Sequence, residues 1–294
     1  MLGYFLIILS TVLFGGQFIA LDAYQKANDK LNRSVLFFTS FFALVGAFLF
    51  ACLTGFHISF SWYTVLYSSI AAIIQISLQF FGIKALSRGR VEVYSLFNVA
   101  GGMSVAYFFG ILYFNEPVKV LHIIGVVLIL SALVVPLIAD RQEHKKSDWI
   151  FYLLCILVFL ANGFFGVMNK IHIVSGEGLS IKEYLFYVYT FLFLFSFIPL
   201  CFTFLQKDKK TVQLFNKKAF LFAFLYGLLN SVGMFLQYNF ADQIPATVLF
   251  PLSNGGCIIF SLIIGCLFYW KKPKFSDIIQ IAVAAIGMSL FLIL

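Results

Sequence analysis

An all-α membrane protein of ten transmembrane helices, arranged as two inverted five-helix repeats, is the fold this sequence predicts. Three observations carry it: ten apolar runs of bilayer length, a one-sided spread of basic residues over the loops, and small-residue patterns that recur in both halves. Of 294 residues, 62% are hydrophobic and 11% charged, and mean hydropathy is +1.00. A soluble domain carries about 25% charged residues.

Lipid offers no hydrogen bonds to a bare backbone, so a long apolar run must cross as a helix or hide in a very large core. About 20 residues span the hydrocarbon. The runs are Leu2–Leu21, Ser34–Thr54, Trp62–Leu86, Val91–Tyr113, Val118–Ala139, Trp149–Asn169, Tyr184–Leu205, Ala219–Tyr238, Ile244–Trp270 and Phe275–Leu294. The third and ninth are the longest and are expected to tilt or break. The first lacks a basic leader and a small-residue cleavage site, so it reads as a mature helix rather than a signal peptide.

Of the 20 Lys and Arg residues, 17 follow spans one, three, five, seven and nine. Only Lys119, Lys170 and Lys182 lie in the alternate loops. Basic loops stay cytoplasmic, so both termini are expected outside a plasma or inner membrane. The net charge of +8 is then a topology signal, and no folded basic face exists for nucleic acid. Cys52, Cys155, Cys201, Cys257 and Cys266 all fall within apolar runs and show no metal-ligand spacing, so neither a metal nor a disulfide framework is expected.

Spans four and five align with nine and ten at an offset of about 155 residues, placing Gly102, Ala106 and Gly110 on Cys257, Ser261 and Gly265. Each set recurs at i, i+4, i+8, a ladder of small residues that lets helix backbones approach closely in lipid. The pairs Gly101-Gly102 and Gly255-Gly256, and Pro117 and Pro273, agree with a one-residue gap. Spans one and six share a glycine-bearing centre at Gly15-Gly16 and Gly163. The expected repeats are 1–142 and 143–294. An odd number of crossings makes the second repeat enter from the opposite side, the architecture of alternating-access transporters.

With these features the chain resembles the drug/metabolite transporter superfamily, EamA type. The resemblance covers nearly the whole chain and rests on Leu96-Phe97-Asn98-Val99-Ala100-Gly101-Gly102, Gly110, Phe114-Asn115-Glu116-Pro117 and Gly125. The second copy departs from that pattern, with Lys271 and Lys272 in the glutamate region and Gln280-Ile281 in place of the glycine. What the resemblance implies is a central cavity lined by spans one, three, four, six, eight and nine, with the other four peripheral. It also implies small-solute transport, across substrates as varied as amino acids, sugars, nucleotide sugars, organic phosphates and drugs.

Polar side chains inside spans need a protein or water partner and normally face inward. Those expected to bind substrate are Gln17, Gln75, Gln79, Tyr94, Asn98, Asn162, Asn230, Gln237 and Asn254, all on the six spans named. Gln75 and Gln79 share a helix face, as do Tyr94 and Asn98, and Asn230 and Gln237. Pro251 beside Asn254 is a candidate helix break. Lys84, Arg88, Arg90 and Lys170 read as rim residues serving topology and lipid headgroups, and Glu116 beside Pro117 as a residue fixing a helix turn.

No carboxylate or histidine lies mid-span, which disfavours proton-coupled export of cationic drugs. No nucleophile–base set, HExxH or GxxxxGK[ST] motif is present, so neither an enzyme nor an ATP-driven pump is expected, and no cofactor. The expected function is secondary transport of a small neutral, zwitterionic or amphipathic metabolite by alternating access. The alternative is a lipid flippase component or membrane assembly partner of the same fold. The expected partners are a small-molecule substrate and the lipid bilayer, and a homodimer is left open.

Overall fold

The structure, a computed structural model, describes residues 2–27, 32–86, 88–89, 91–139, 148–205, 217–270 and 272–292. They form ten helices: α1 (Leu2–Ala27), α2 (Asn32–Leu53), α3 (Trp62–Leu86), α4 (Val91–Leu112), α5 (Val120–Ala139), α6 (Trp149–Val174), α7 (Ile181–Leu205), α8 (Lys217–Tyr238), α9 (Ala246–Phe268) and α10 (Phe275–Ser289). Each expected apolar run overlaps one of them.

Among the described residues, eight helices, all but α5 and α10, are long and apolar enough to cross a membrane. The described apolar part of α5 covers Val120–Val135, and α10 has 15 residues. At 1.5 Å per residue α10 reaches about 22 Å, short of the roughly 30 Å hydrocarbon core. Helix α5 as a whole runs 20 residues, Val120–Ala139, so α10 is the short one of the ten. Phe5, Phe48, Phe108, Leu112, Val127 and Leu267 point outward and are exposed, an apolar exterior suited to lipid rather than water.

Five ends reach beyond the predicted runs, two of them by more than a turn. Helix α1 continues past Leu21 to Ala27 and α6 past Asn169 to Val174. The polar residues that look like span ends, Asn169, Lys170 and His172, are buried against protein and so do not need to leave the helix. The break expected at Pro251 is absent, and α9 runs on through it, as α3 does through its whole length. Pro251 lies in the second turn of α9, where its fixed φ suits the helix and it removes a single ladder bond.

Helix α1 packs on α8 and α9, and α6 packs on α3 and α4. Helix α2 lies on α7 and α8, α7 on α2 and α3, α5 on α10 and α4, α10 on α5 and α9, and α4 on α9. Exchanging α1–α5 for α6–α10 leaves this set of pairings unchanged. The resemblance implied peripheral positions for α2 and α7. Each packs one side on protein: Phe42, Phe50, Tyr184, Leu185 and Tyr189 are almost fully buried, Phe42 against Tyr226 of α8 and Tyr184 against His172 of α6.

The closest helix crossings recur residue by residue. A methyl group on Gly256 of α9 would lie 2.6 Å from Thr11 of α1, and one on Gly101 of α4 would collide with Phe159 of α6. A methyl on Gly15 of α1 would meet the Phe260 backbone at 2.8 Å, and one on Gly163 of α6 would collide with Val105 of α4. An offset of 148 residues carries Thr11 onto Phe159 and Gly15 onto Gly163; 155 carries Gly101 onto Gly256 and Val105 onto Phe260. The same offset of 155 joins Asn115 and Trp270, whose φ values of 53° and 51° put both in the left-handed region just past α4 and α9. Asn tolerates that region; Trp is strained in it.

Small residues therefore do sit at the crossings, one step from the predicted ladders. Of the six expected packing positions, Gly102 faces Asn162 and Asn254, Ala106 is buried, Gly110 faces Ala246 and Thr247, Cys257 is buried, and Gly265 faces Ile19. Ser261 bonds its own helix at the Ile258 carbonyl, and its backbone N–H lies against Gly15.

Contacts among loops sort the helix ends into two groups. At one end Asp22 of α1 accepts from Lys26 and from Tyr269 after α9, and Arg88 pairs with Asp148 at 3.2 Å. At the other, the backbone N–H of Ser59 donates to Glu183, and Glu116 reaches the start of α9. The first end follows odd-numbered helices and is the basic one. Of its basic residues, Lys30, Arg90, Arg141, Lys145, Lys146, Lys207, Lys209, Lys210 and Lys271 lie outside the described residues.

Neighbouring glycines of α1 give a controlled test of the crossings. Gly15→Ala is expected to destabilise by about 2 kcal/mol through overpacking. Gly16→Ala, which meets only the flexible tip of Leu229 at 3.3 Å, is expected to be neutral or stabilising. Thermal unfolding in detergent measures both, and equal melting temperatures would refute the close α1–α9 approach.

Candidate functional site

None of the nine expected substrate-binding residues is exposed, and the structure gathers most of them into three groups. The first lies where α4, α6 and α9 converge. The Asn162 side chain donates to the Asn98 backbone carbonyl at 2.7 Å, and Asn254 donates to the Phe250 carbonyl one turn back at 2.9 Å. Both amides crowd Gly102: a methyl there would sit 2.7 Å from Nδ2 of Asn162 and 3.0 Å from Oδ1 of Asn254. The Asn98 side-chain oxygen is buried with no hydrogen-bond partner among the described residues.

That orphan is informative. A buried acceptor without a donor costs about 1–3 kcal/mol, so native folds rarely leave one unless water or a ligand reaches it. Its place on α4, beside α9 and α6, lies between the two halves.

The second group ties α1 to α8 and α7. Asn230 donates to Gln17 at 2.8 Å and accepts from the Tyr189 hydroxyl at 2.5 Å. With one amide N–H and the carbonyl engaged by buried partners, Asn230 is largely committed to holding helices together. Tyr189 is a member that sequence reasoning missed, because one Tyr among the many aromatics of α7 carries no distinguishing pattern.

The third group lies between α3, α4 and α8. Gln79 is beside the Tyr226 hydroxyl, with Tyr94 close by, and the Tyr94 hydroxyl reaches Gly82 of α3. The Gln75 side-chain oxygen is buried without a partner among the described residues. Gln237 is buried in α8 and belongs to none of the three groups.

A fourth polar assembly, at the less basic end, was not foreseen. Lys170 is 3% exposed, where the sequence reading made it a rim anchor. Its ammonium donates to the carbonyls of Ala241 and Ile244, with Glu116 and Asp242 as nearby negative charges. Saturating the ammonium with backbone acceptors and counter-charge is what permits its burial. Glu116 accepts from the N–H groups of Ala246 at 2.6 Å and Thr247 at 2.8 Å, so it caps the first turn of α9 from the opposite half. Glu116 thus fixes a helix start, but that of a helix in the other half of the chain.

Beside them Asn169 accepts from Tyr184 at 2.8 Å. His172 stacks on Tyr184 with ring centroids 3.9 Å apart and meets the Thr64 hydroxyl at 3.0 Å through Nε2. A signal existed in the run Met168-Asn169-Lys170-Ile171-His172, where three polar residues within one turn are more than a simple span end requires. Among the described residues no group of three His, Cys, Asp or Glu side chains is placed to hold a metal.

No protein-family model and no curated protein matches the sequence. The fold, by contrast, matches solved structures. One, described only as "Crystal structure of protein", is similar with a TM-score of 0.75 and 13% identity, over 97% of this chain and 94% of that one. At that identity the likeness shows a shared fold of nearly the same extent.

The α9 cap has a direct test. Glu116→Ala removes the acceptor of two N–H groups and is expected to cost about 2 kcal/mol. Glu116→Gln, which keeps one carbonyl acceptor, is expected to lose less. Thermal unfolding ranks them, and a Glu116→Ala protein as stable as the parent would remove the cap from the account.

Proposed function

We propose that this chain is a multi-pass secondary transporter of a small neutral, zwitterionic or amphipathic metabolite. In this reading it is a ten-helix drug/metabolite-type carrier, built as inverted repeats. The single observation that carries the reading is the partnerless Asn98 oxygen in the amide group of Asn98, Asn162 and Asn254 at the junction of the halves. Uncharged amides offer donors and acceptors without the charge that a cation or proton site demands.

The rest of the packing supports it. Crossings and pairings that recur under exchange of the halves are what alternating access needs, since two equivalent arrangements of one interface can then trade places. The rocking unit is one repeat against the other, with the substrate held at their shared axis by α4 and α9. The basic end faces the cytoplasm of a plasma or inner membrane and both termini face out; a reporter fused after Leu294 is expected outside, and a cytoplasmic signal would reverse the orientation.

Purified protein in proteoliposomes, challenged with labelled amino acids, sugars, nucleosides and dyes, is expected to take up at least one class. Asn98→Leu is expected to lower that uptake at least tenfold with an unchanged melting temperature. Normal uptake in Asn98→Leu would remove the amide group from the site. Lipid scrambling without uptake of any solute would replace the transporter reading by a flippase role.

A further inference from the structure

At the less basic end a groove of about 470 Å³ opens between the α6–α7 connection and the end of α8. His172 and Phe235 line it together with Ser180, Lys182, Asn239 and Asp242. The volume suits a small metabolite. It lies apart from the amide group and is built from different residues.

Two features make this more than a surface dent. Both walls are held. The Leu179 N–H donates to Thr64 at 2.9 Å and the Ser180 hydroxyl donates to Glu183 at 2.7 Å, which fixes the first wall against α3 and α7. Buried Lys170 grips the carbonyls of Ala241 and Ile244, which fixes the second. On these held walls stand two exposed, opposite charges, Lys182 at the start of α7 and Asp242 after α8. Neither makes a hydrogen bond or salt bridge with another described residue, although Asp242 also adds to the counter-charge around buried Lys170. Beneath them His172 keeps one ring nitrogen, Nδ1, buried and unpartnered among the described residues.

We propose that this groove is a binding site for a zwitterionic solute of amino-acid size, its carboxylate toward Lys182, its ammonium toward Asp242 and its apolar part against Phe235. The proposal deepens the transport reading, on which it rests for the ligand's onward passage, by naming the substrate class. A simple anion would bring its charge beside Asp242, and a simple cation would bring its charge beside Lys182. A zwitterion meets both with the right sign, and Ser180 and Asn239 add neutral hydrogen-bonding groups.

The test is equilibrium binding of labelled L-leucine to the full chain in lipid nanodiscs, with isoamylamine and 4-methylpentanoate as competitors. It is made in the Asn98→Leu background so that the amide group contributes nothing. L-Leucine is expected to bind there, and each singly charged analogue to compete poorly. Asp242→Asn and Lys182→Met are each expected to weaken binding about fivefold, the scale of one partly solvated charge contact. Both residues are exposed, so folding is preserved, which an unchanged melting temperature verifies. No L-leucine binding in the Asn98→Leu protein, or binding indifferent to both charge substitutions, would overturn the proposal. Groove binding that persists while no solute enters proteoliposomes would sink the transporter reading and leave the groove standing.

Discussion

Close contact between helix backbones, made possible by glycine, is the constraint on which the rest of this structure depends. Lipid tails are as apolar as the side chains they touch, so burying Leu or Phe between helices adds little that lipid would not. What remains is dispersion over a tight crossing and the polar bonds that such proximity allows. Gly15 and Gly256 bring α1 onto α9, and Gly101 and Gly163 bring α4 onto α6. Only because α4 and α6 lie that close can the Asn162 amide reach a backbone carbonyl on its neighbour.

Electrostatics secures one end of the bundle. A carboxylate from the first half caps a helix of the second, and a buried ammonium holds the connection that precedes that helix. Each group would be costly alone in a low-dielectric setting. Near one another, and with backbone partners, they become a tie between the halves and a rigid support for the groove outside. The same interactions that close this end stand apart from the uncharged amides at the junction.

The two halves have diverged in how they use a common plan. Asn115 and Trp270 adopt the same left-handed turn at equivalent places, yet the first leads to the capping Glu116 and the second to Lys271 and Lys272. Asn230 is engaged with Gln17 and with buried Tyr189, whereas the Asn98 oxygen has no partner among the described residues. A scaffold whose pairings are symmetric thus carries an asymmetric set of polar bonds.

The apolar runs, their number and the recurrence of glycine were legible in the chain because they follow from local composition and from an offset that any alignment of the halves exposes. So was the inward position of the mid-span amides, since an amide facing lipid has no partner. The sequence also determined which loops are basic. It could not show that Lys170 is buried, that α10 stops short of the bilayer thickness, or that α9 passes through Pro251 unbroken. Nor could it show which amides are spent on each other and which, Asn98 and Gln75, keep a buried oxygen without a partner among the described residues. Those outcomes depend on which backbone lies within hydrogen-bonding distance of which side chain, and residues as far apart as Glu116 and Ala246 or Gln17 and Asn230 meet only once ten helices have packed.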